Sequence, residues 1–199
     1  MQTRLILAST SPTRAALLRS AGVEFDVVPA RVDEDAIRAA LSAEGVSPRD
    51  QADVLAEHKA RRVASSQSGA LVIGCDQILD LNGAVLSKPE NIDAARSQLL
   101  ALRDQTHRLF SAVVIYDDTG PVWRHVGEAR LTMRNFSDAY LASYLRRAED
   151  PQLKSVGVYQ IESEGLRLFS RIDGDYFTIL GLPLLPLLSY LGQRGIIET

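Results

Sequence analysis

Residues 4–14 read R-L-I-L-A-S-T-S-P-T-R, and this stretch carries the first decision about the fold. Arg4–Ala8 is a short apolar run with Leu-Ile-Leu at its centre and reads as a buried strand. Ser11 then stands as an N-cap with Pro12 at the first helical position, so a helix opens and runs to about Ala21, where Gly22 stops it. The alternation continues outward from there. Glu24–Val28 reads as a second short strand, and Asp35–Glu44 and Pro48–Ser66 as helices, the latter capped by Ser47. Ala70–Leu79 is a strand, Asn82-Gly83 a hairpin turn, and Ile92–Leu102 a helix after Asn91. From Thr106 the pattern turns to β. Leu109–Tyr116 and Val122–Arg134, joined by a turn at Asp117–Gly120, are expected as two long antiparallel strands. Ser137 caps a helix to about Arg147, and short strands are expected around Val158 and over Arg167–Ile172. A closing helix, Leu184–Arg194, carries Leu on nearly every face and should pack into the core. Helices alternating with strands, plus one long hairpin, predict an α/β fold with a mixed sheet.

Composition narrows the function classes. A chain of 199 residues predicts one domain and can bury about 70% of its unfolded surface without a disulfide or metal staple. Twenty-two basic against 25 acidic residues leave a net charge of −3, which argues against a nucleic-acid coat. That balance does not argue against a small phosphate ligand, because residues 1–22 hold Arg4, Arg14 and Arg19 and no acid. Cys75 is the only cysteine, which excludes an intrachain disulfide and a cysteine zinc site and fits a reducing compartment. The N-terminal apolar run is too short for a signal-peptide core, and the apolar region Leu180–Leu191 is broken by Pro183 and Pro186. The expectation is a soluble, cytoplasmic protein without membrane or nucleic-acid partners.

Four stretches carry candidate chemistry. In Leu7–Arg14 a strand ends, a small-residue turn follows and a helix opens, a junction that suits phosphate. Ser9, Thr10 and Ser11 add hydroxyl donors, and Arg14 lies one turn in, where it can hold phosphate bidentately. By spacing alone, a well-capped helix with an exposed arginine is the commoner outcome. V-D-E, Val32–Glu34, precedes a helix whose N-terminus acids stabilise in any case. Lys59, in A-E-H-K-A, lies inside an amphipathic helix, where a lysine ordinarily faces solvent. L-V-I-G-C-D-Q-I-L is more pointed: Asp76 interrupts an apolar strand, where a carboxylate is costly unless it meets a cation or donors. Gly74 before it allows close approach of backbone or ligand, and the hairpin returns Lys88, in S-K-P, toward the Asp76 end of the sheet. An acid near a lysine there signals either an enzyme site or a structural ion pair. The three histidines lack metal-ligand spacing, and G-x-S-x-G, G-x-G-x-x-G and the P-loop pattern are all absent.

Taken in order, L-A-S-T-S-P-T-R, V-D-E, Lys59-Ala60, G-C-D-Q with the later K-P, and G-V-Y-Q-I-E-S-E-G through G-L-P-L resemble the Maf family of nucleoside triphosphate pyrophosphatases. The resemblance spans residues 5–188. It implies an elongated mixed β-sheet flanked by helices, a single bilobed domain over residues 1–199 with a nucleotide-binding cleft, and an inosine triphosphatase-like architecture. It also implies a divalent metal (Mg or Mn), a homodimer, and hydrolysis of a nucleoside triphosphate to monophosphate and pyrophosphate. The family's phosphate grip falls on Ser9, Ser11, Arg14, Lys59 and Lys88, its catalytic carboxylate on Asp76, and Glu34 is a second acid able to help hold metal. Asp76 would bind metal, deprotonate water, or do both. The alternative that the resemblance carries is a nucleotide-binding regulator of cell division, inhibiting septum formation without turnover.

Departures from the commonest family pattern bear on substrate. Where many members have S-P-R-R this chain has Thr13, the usual D-T becomes Asp76-Gln77, and the frequent Gln of G-I-Q-G becomes Glu162. Gln77 with Glu162 is similar to the 7-methyl-GTP subfamily. A carboxylate can accept from both N1–H and the exocyclic amine of guanine and favours a cationic methylated ring, whereas uracil and thymine flank one N–H with two acceptors. Thr13, Gln77 and Glu162 join Ser9, Ser11 and Arg14 as the substrate-binding residues that the resemblance implies, with a purine-type or modified nucleotide as the expected substrate.

Overall fold

The computed structural model describes residues 3–148 and 155–198. Seven strands form one sheet in the order β2-β1-β3-β5-β6-β7, with β4 paired to β3. They are β1 Arg4–Ala8, β2 Asp26–Val27, β3 Ala70–Leu81, β4 Ala84–Leu86, β5 Thr106–Asp117, β6 Gly120–Met133 and β7 Phe169–Asp173. The helices are α1 Pro12–Ser20, α2 Glu34–Ala43, α3 Pro48–Ala64, α4 Ile92–Leu102, α5 Asp138–Arg147, α6 Tyr176–Ile179 and α7 Leu184–Gln193. β1 runs parallel to β2 and β3, while β3–β4 and β6–β7 are antiparallel, so the sheet is mixed as expected.

Local chemistry sets the element ends. Ser11, Ser47, Asn91 and Ser137 each accept a hydrogen bond from the backbone N–H three residues on, the N-cap geometry that their positions predict. Asn82 and Gly83 take φ values of 54° and 91°, the paired left-handed conformation of a two-residue hairpin turn. The β5–β6 connection is also two residues long, which only an antiparallel pair can make. Three expectations need correction. The segment at Val158 is a tight turn, Val156–Val158, because Gly157 (φ 81°) and Val158 (φ 60°) are both left-handed and cannot extend. β2 shrinks to Asp26–Val27, an edge strand ended by Pro29. On α7, Leu184, Leu187 and Leu191 are buried but Leu185 is 57% exposed, so only one side of the helix meets the core.

The chain divides into two compact units, one comprising Met1–Gln77, Phe110–Glu128 and Asp175–Thr199, the other Ile78–Leu109 and Ala129–Gly174. In the first, strand alternation sends Leu5, Leu7, Leu71, Ile73, Val113 and Ile115 to one side of the sheet, where they pack with Leu18 of α1 and Leu187 and Leu191 of α7. Ile6, Val72, Gly74 and Asp76 alternate to the opposite side, the side covered by α3.

In the second unit His107 is fully buried on β5; its Nε2 lies 2.7 Å from the Tyr159 hydroxyl and its Nδ1 has no partner among the described residues. Burial pushes the imidazole down to about 4 from its ordinary 6.5. Between those values the unfolded chain holds a proton that the native ring refuses, so this contribution to stability is complete above pH 6.5 and is lost as pH falls toward 4. Urea unfolding at pH 7 and pH 4.5 should show the wild type losing on the order of 2–3 kcal/mol more than His107→Gln.

Candidate active site

The strand order β2-β1-β3 places a topological switch at β1, because the chain leaves β1 toward β2 and returns on its other side as β3. Ligands of open α/β sheets collect at the carboxyl ends of parallel strands at such a point. β1 stops at Ala8, opposite Gly74 of β3. Ser9 leaves β1 there, and Asp76 lies two residues past the last paired position.

Gly74 is the contact that brings α3 down. A Cβ at this position would overlap the Ala56 carbonyl oxygen and stand 2.6 Å from the Ala60 nitrogen and 2.8 Å from the Ala60 Cβ. No side chain but hydrogen fits between strand and helix, and the helix faces the strand with Ala56 and Ala60. That approach carries Lys59 inward, where a helix lysine ordinarily faces solvent and where the resemblance expects a site residue: its side chain is 8% exposed. Its Nζ donates to Asp76 Oδ1 at 2.6 Å and lies 2.9 Å from Glu34 Oε1, at the first turn of α2. One ammonium thus bridges two carboxylates, and the cluster is net negative.

Asp76 is 3% exposed, and its Oδ2 is buried without a hydrogen-bond partner among the described residues. Asp80, four residues along the same strand, is equally buried, yet both its oxygens are used: Oδ1 accepts from Gly83 N at 2.6 Å and Oδ2 from Arg108 Nε at 2.8 Å. Asp80 is therefore an anchor for the hairpin, and Asp76 retains an oxygen with acceptor capacity to spare. A divalent cation fits this donor set in the way Mg²⁺ is usually held, by one or two carboxylates with substrate and water oxygens completing the shell. Asp76 and Glu34 are the residues able to contribute; among the described residues no group of three or more His, Cys, Asp or Glu gathers as a closed cage.

The α1 junction assembles next to this cluster in the first unit. Ser9, buried, accepts at Oγ from Ser11 N (3.2 Å) and Arg14 Nη1 (3.4 Å), and Ser11 Oγ accepts from Arg14 N (3.3 Å). Pro12 has no N–H and Ala15 N is bonded to Ser11 O, so anion-binding capacity here rests more on the hydroxyl protons and the guanidinium than on bare amides. Arg14 is not a free surface residue: Nε donates to Gly181 O at 2.8 Å and Nη1 to Cys75 O at 3.2 Å. Burial raises the neighbouring Cys75 thiol to about 11, which keeps it protonated and unreactive.

Gln77 is more internal than a base-contacting residue would suggest. Its Nε2 donates to Ser111 Oγ (2.9 Å), Ile179 O (3.0 Å) and Thr178 O (3.2 Å), tying β3 to β5 and to the α6 turn that presents Gly181 to Arg14. Ser111 lies in no motif, and a buried serine inside the apolar run L-F-S-A-V-V-I is the signal that marks it; Gly181 opens the G-L-P-L stretch. Thr13 is half-buried on α1. Lys88 and Glu162, both exposed, belong to the second unit; Lys88 lies two residues beyond the β3–β4 ladder, which ends at Leu79↔Leu86.

The fold and site together define an α/β protein with a buried Lys59–Asp76–Glu34 cluster beside a hydroxyl- and guanidinium-lined helix start at the ends of its parallel strands. The family profile described as Maf-like protein matches residues 4–194, and the chain belongs to that family. It is 56% identical over 198 residues to a nucleoside triphosphate pyrophosphatase of Ruegeria sp. (strain TM1040), covering 100% of each chain. It is 57% identical over 191 residues to one of Roseobacter denitrificans, covering 96% of each. A 7-methyl-GTP pyrophosphatase of Brucella abortus is 48% identical over 198 residues, again covering 100% of each chain.

Because Gly74 meets backbone rather than a flexible side chain, Gly74→Ala should destabilise by about 3 kcal/mol, at the upper end of overpacking costs. Chemical denaturation checks this, and a change under about 0.5 kcal/mol would show that α3 can retreat at little cost.

Proposed function

We propose that this Maf-like protein is a nucleoside triphosphate pyrophosphatase that releases nucleoside monophosphate and pyrophosphate by water attack at the α-phosphorus. The observation that carries this reading is the buried, unpartnered Oδ2 of Asp76, held in place through Oδ1 by Lys59 beside a hydroxyl- and guanidinium-lined helix start. A structural ion pair would satisfy both oxygens, as Asp80 does.

A triphosphate carries about four negative charges, and an attacking water must approach through them. Ser9 and Ser11 donate hydroxyl protons to phosphate oxygens while their own oxygens accept from the α1 backbone and Arg14. Arg14, its Nε and Nη1 committed to the protein, places a fixed positive charge at the strand ends, where a mobile side chain would spend entropy. Lys59 restrains the Asp76 carboxylate and lowers the cost of a second negative group near the substrate. Asp76 Oδ2 then accepts the proton of the attacking water, a role typically contributing about 10²–10⁴-fold. Asp76 and Glu34 would hold a divalent cation such as Mg²⁺ or Mn²⁺, which would supply neutralisation of charge on the pyrophosphate leaving group.

Glu162 selects the base. As the carboxylate at the position where glutamine is commoner, it accepts from N1–H and the exocyclic amine of a guanine-type base and favours the cationic ring of 7-methyl-GTP.

Purified protein with Mg²⁺ or Mn²⁺ should release pyrophosphate from nucleoside triphosphates, and Asp76→Asn should lower kcat by at least about 10²-fold. Release of orthophosphate instead would overturn the reaction assignment; binding without turnover across metals and nucleotides would favour the regulatory alternative. Glu162→Gln should raise kcat/KM for UTP relative to GTP and 7-methyl-GTP, and an unchanged base profile would remove Glu162 from the base site.

A further inference from the structure

Glu162 lies on a segment whose backbone is under strain. Gly157 and Val158 are consecutive left-handed residues, with φ of 81° and 60°. A β-branched, fully buried valine at positive φ is a genuine outlier that persists only where its surroundings over-determine it. Here they do. Gly157 N donates to Gln98 Oε1 of α4 at 2.7 Å, and Val158 O accepts from the Tyr144 hydroxyl of α5 at 2.8 Å. The Tyr159 hydroxyl meets His107 Nε2 of β5 at 2.7 Å. Three side chains from three separate elements thus grip three successive residues. Ser155 Oγ closes the segment onto Tyr159 O at 3.0 Å.

The turn that carries Glu162 begins at the next residue. Ser163 N and Oγ both bond Gln160 O, folding residues 160–163 into a turn with Glu162 exposed on it. At Gly165 a Cβ would stand 2.5 Å from Gln160 O and 2.7 Å from Gln160 N, so the returning chain is pressed against the start of the turn. The two acids here are treated differently. Glu164 is ion-paired with Arg147 (2.5 Å) and Arg167 (3.3 Å), whereas Glu162 has no cation partner among the described residues.

We infer that Gln98, Tyr144 and His107 are positioning residues for base selection, holding the strained Val158 turn so that the uncompensated Glu162 carboxylate is preset for a purine-type base. The inference rests on the reading of Glu162 as the base-selecting group. Presetting matters because a flexible carboxylate would lose side-chain and loop entropy on each binding event.

The variants that test this keep shape and remove one hydroxyl: Tyr144→Phe and, at the other grip, Tyr159→Phe. Each should raise KM for GTP and 7-methyl-GTP about fivefold, leave kcat within about twofold, and leave UTP kinetics unchanged, so that the base-selectivity ratio falls. A purely structural role predicts a lower Tm with an unchanged ratio, and that result overturns the inference. In the Glu162→Gln background, Tyr144→Phe should have no further effect on the ratio. Additive effects would sink the positioning role while leaving Glu162 as selector. Loss of selectivity in Tyr144→Phe with none in Glu162→Gln would sink both.

Discussion

The near-contact of the α3 backbone with the β3 backbone at Gly74 is the constraint on which the candidate site depends. Helix and strand meet where the strand has no side chain and the helix offers Ala56 and Ala60. A lysine stem is long, but an ammonium 2.6 Å from a strand carboxylate, with its side chain almost wholly out of water, needs the helix axis close to the sheet. Charge pairing alone would not bring it there, because taking two ions from water costs several kcal/mol each before their attraction is counted. The apolar packing of Leu55, Ala56, Ala60 and Val63 holds the helix down, and the ion pair forms as a consequence.

Two buried aspartates on one strand show how burial separates structure from chemistry. Asp80 gives each oxygen a donor and anchors a hairpin. Asp76 leaves one oxygen without a donor, in surroundings where an unmet acceptor costs roughly 1–3 kcal/mol. Such a deficit is tolerated where function uses it, as is the left-handed Val158 in the segment before Glu162. Both features are local violations of otherwise consistent folding rules.

Much of the fold was legible in the chain. Ser11-Pro12, Ser47-Pro48, Asn91 and Ser137 mark helix starts through hydrogen bonds that reach only three residues, and Asn82-Gly83 marks its hairpin through intrinsic φ preference. Asp76 stood out as a carboxylate in an apolar strand. The inward turn of Lys59 was legible only through the family resemblance, because helix periodicity cannot say which face is covered when the mate is a glycine 15 positions away in the chain. Gln77 illustrates the converse. Its place beside Asp76 suggests substrate contact, but its amide donates to Ser111, Thr178 and Ile179, acceptors between 34 and 102 residues distant.

The sequence by itself determined most of the elements, their order and the residue types available for phosphate chemistry, since caps, turns and strand alternation are short-range effects. Only the tertiary structure decided which acid keeps a free oxygen, that one lysine serves two carboxylates, and that Arg14 is clamped by Gly181 and Cys75 carbonyls. Those outcomes depend on desolvation and on hydrogen-bond partners brought together from distant parts of the chain, and neither exists until the chain is packed.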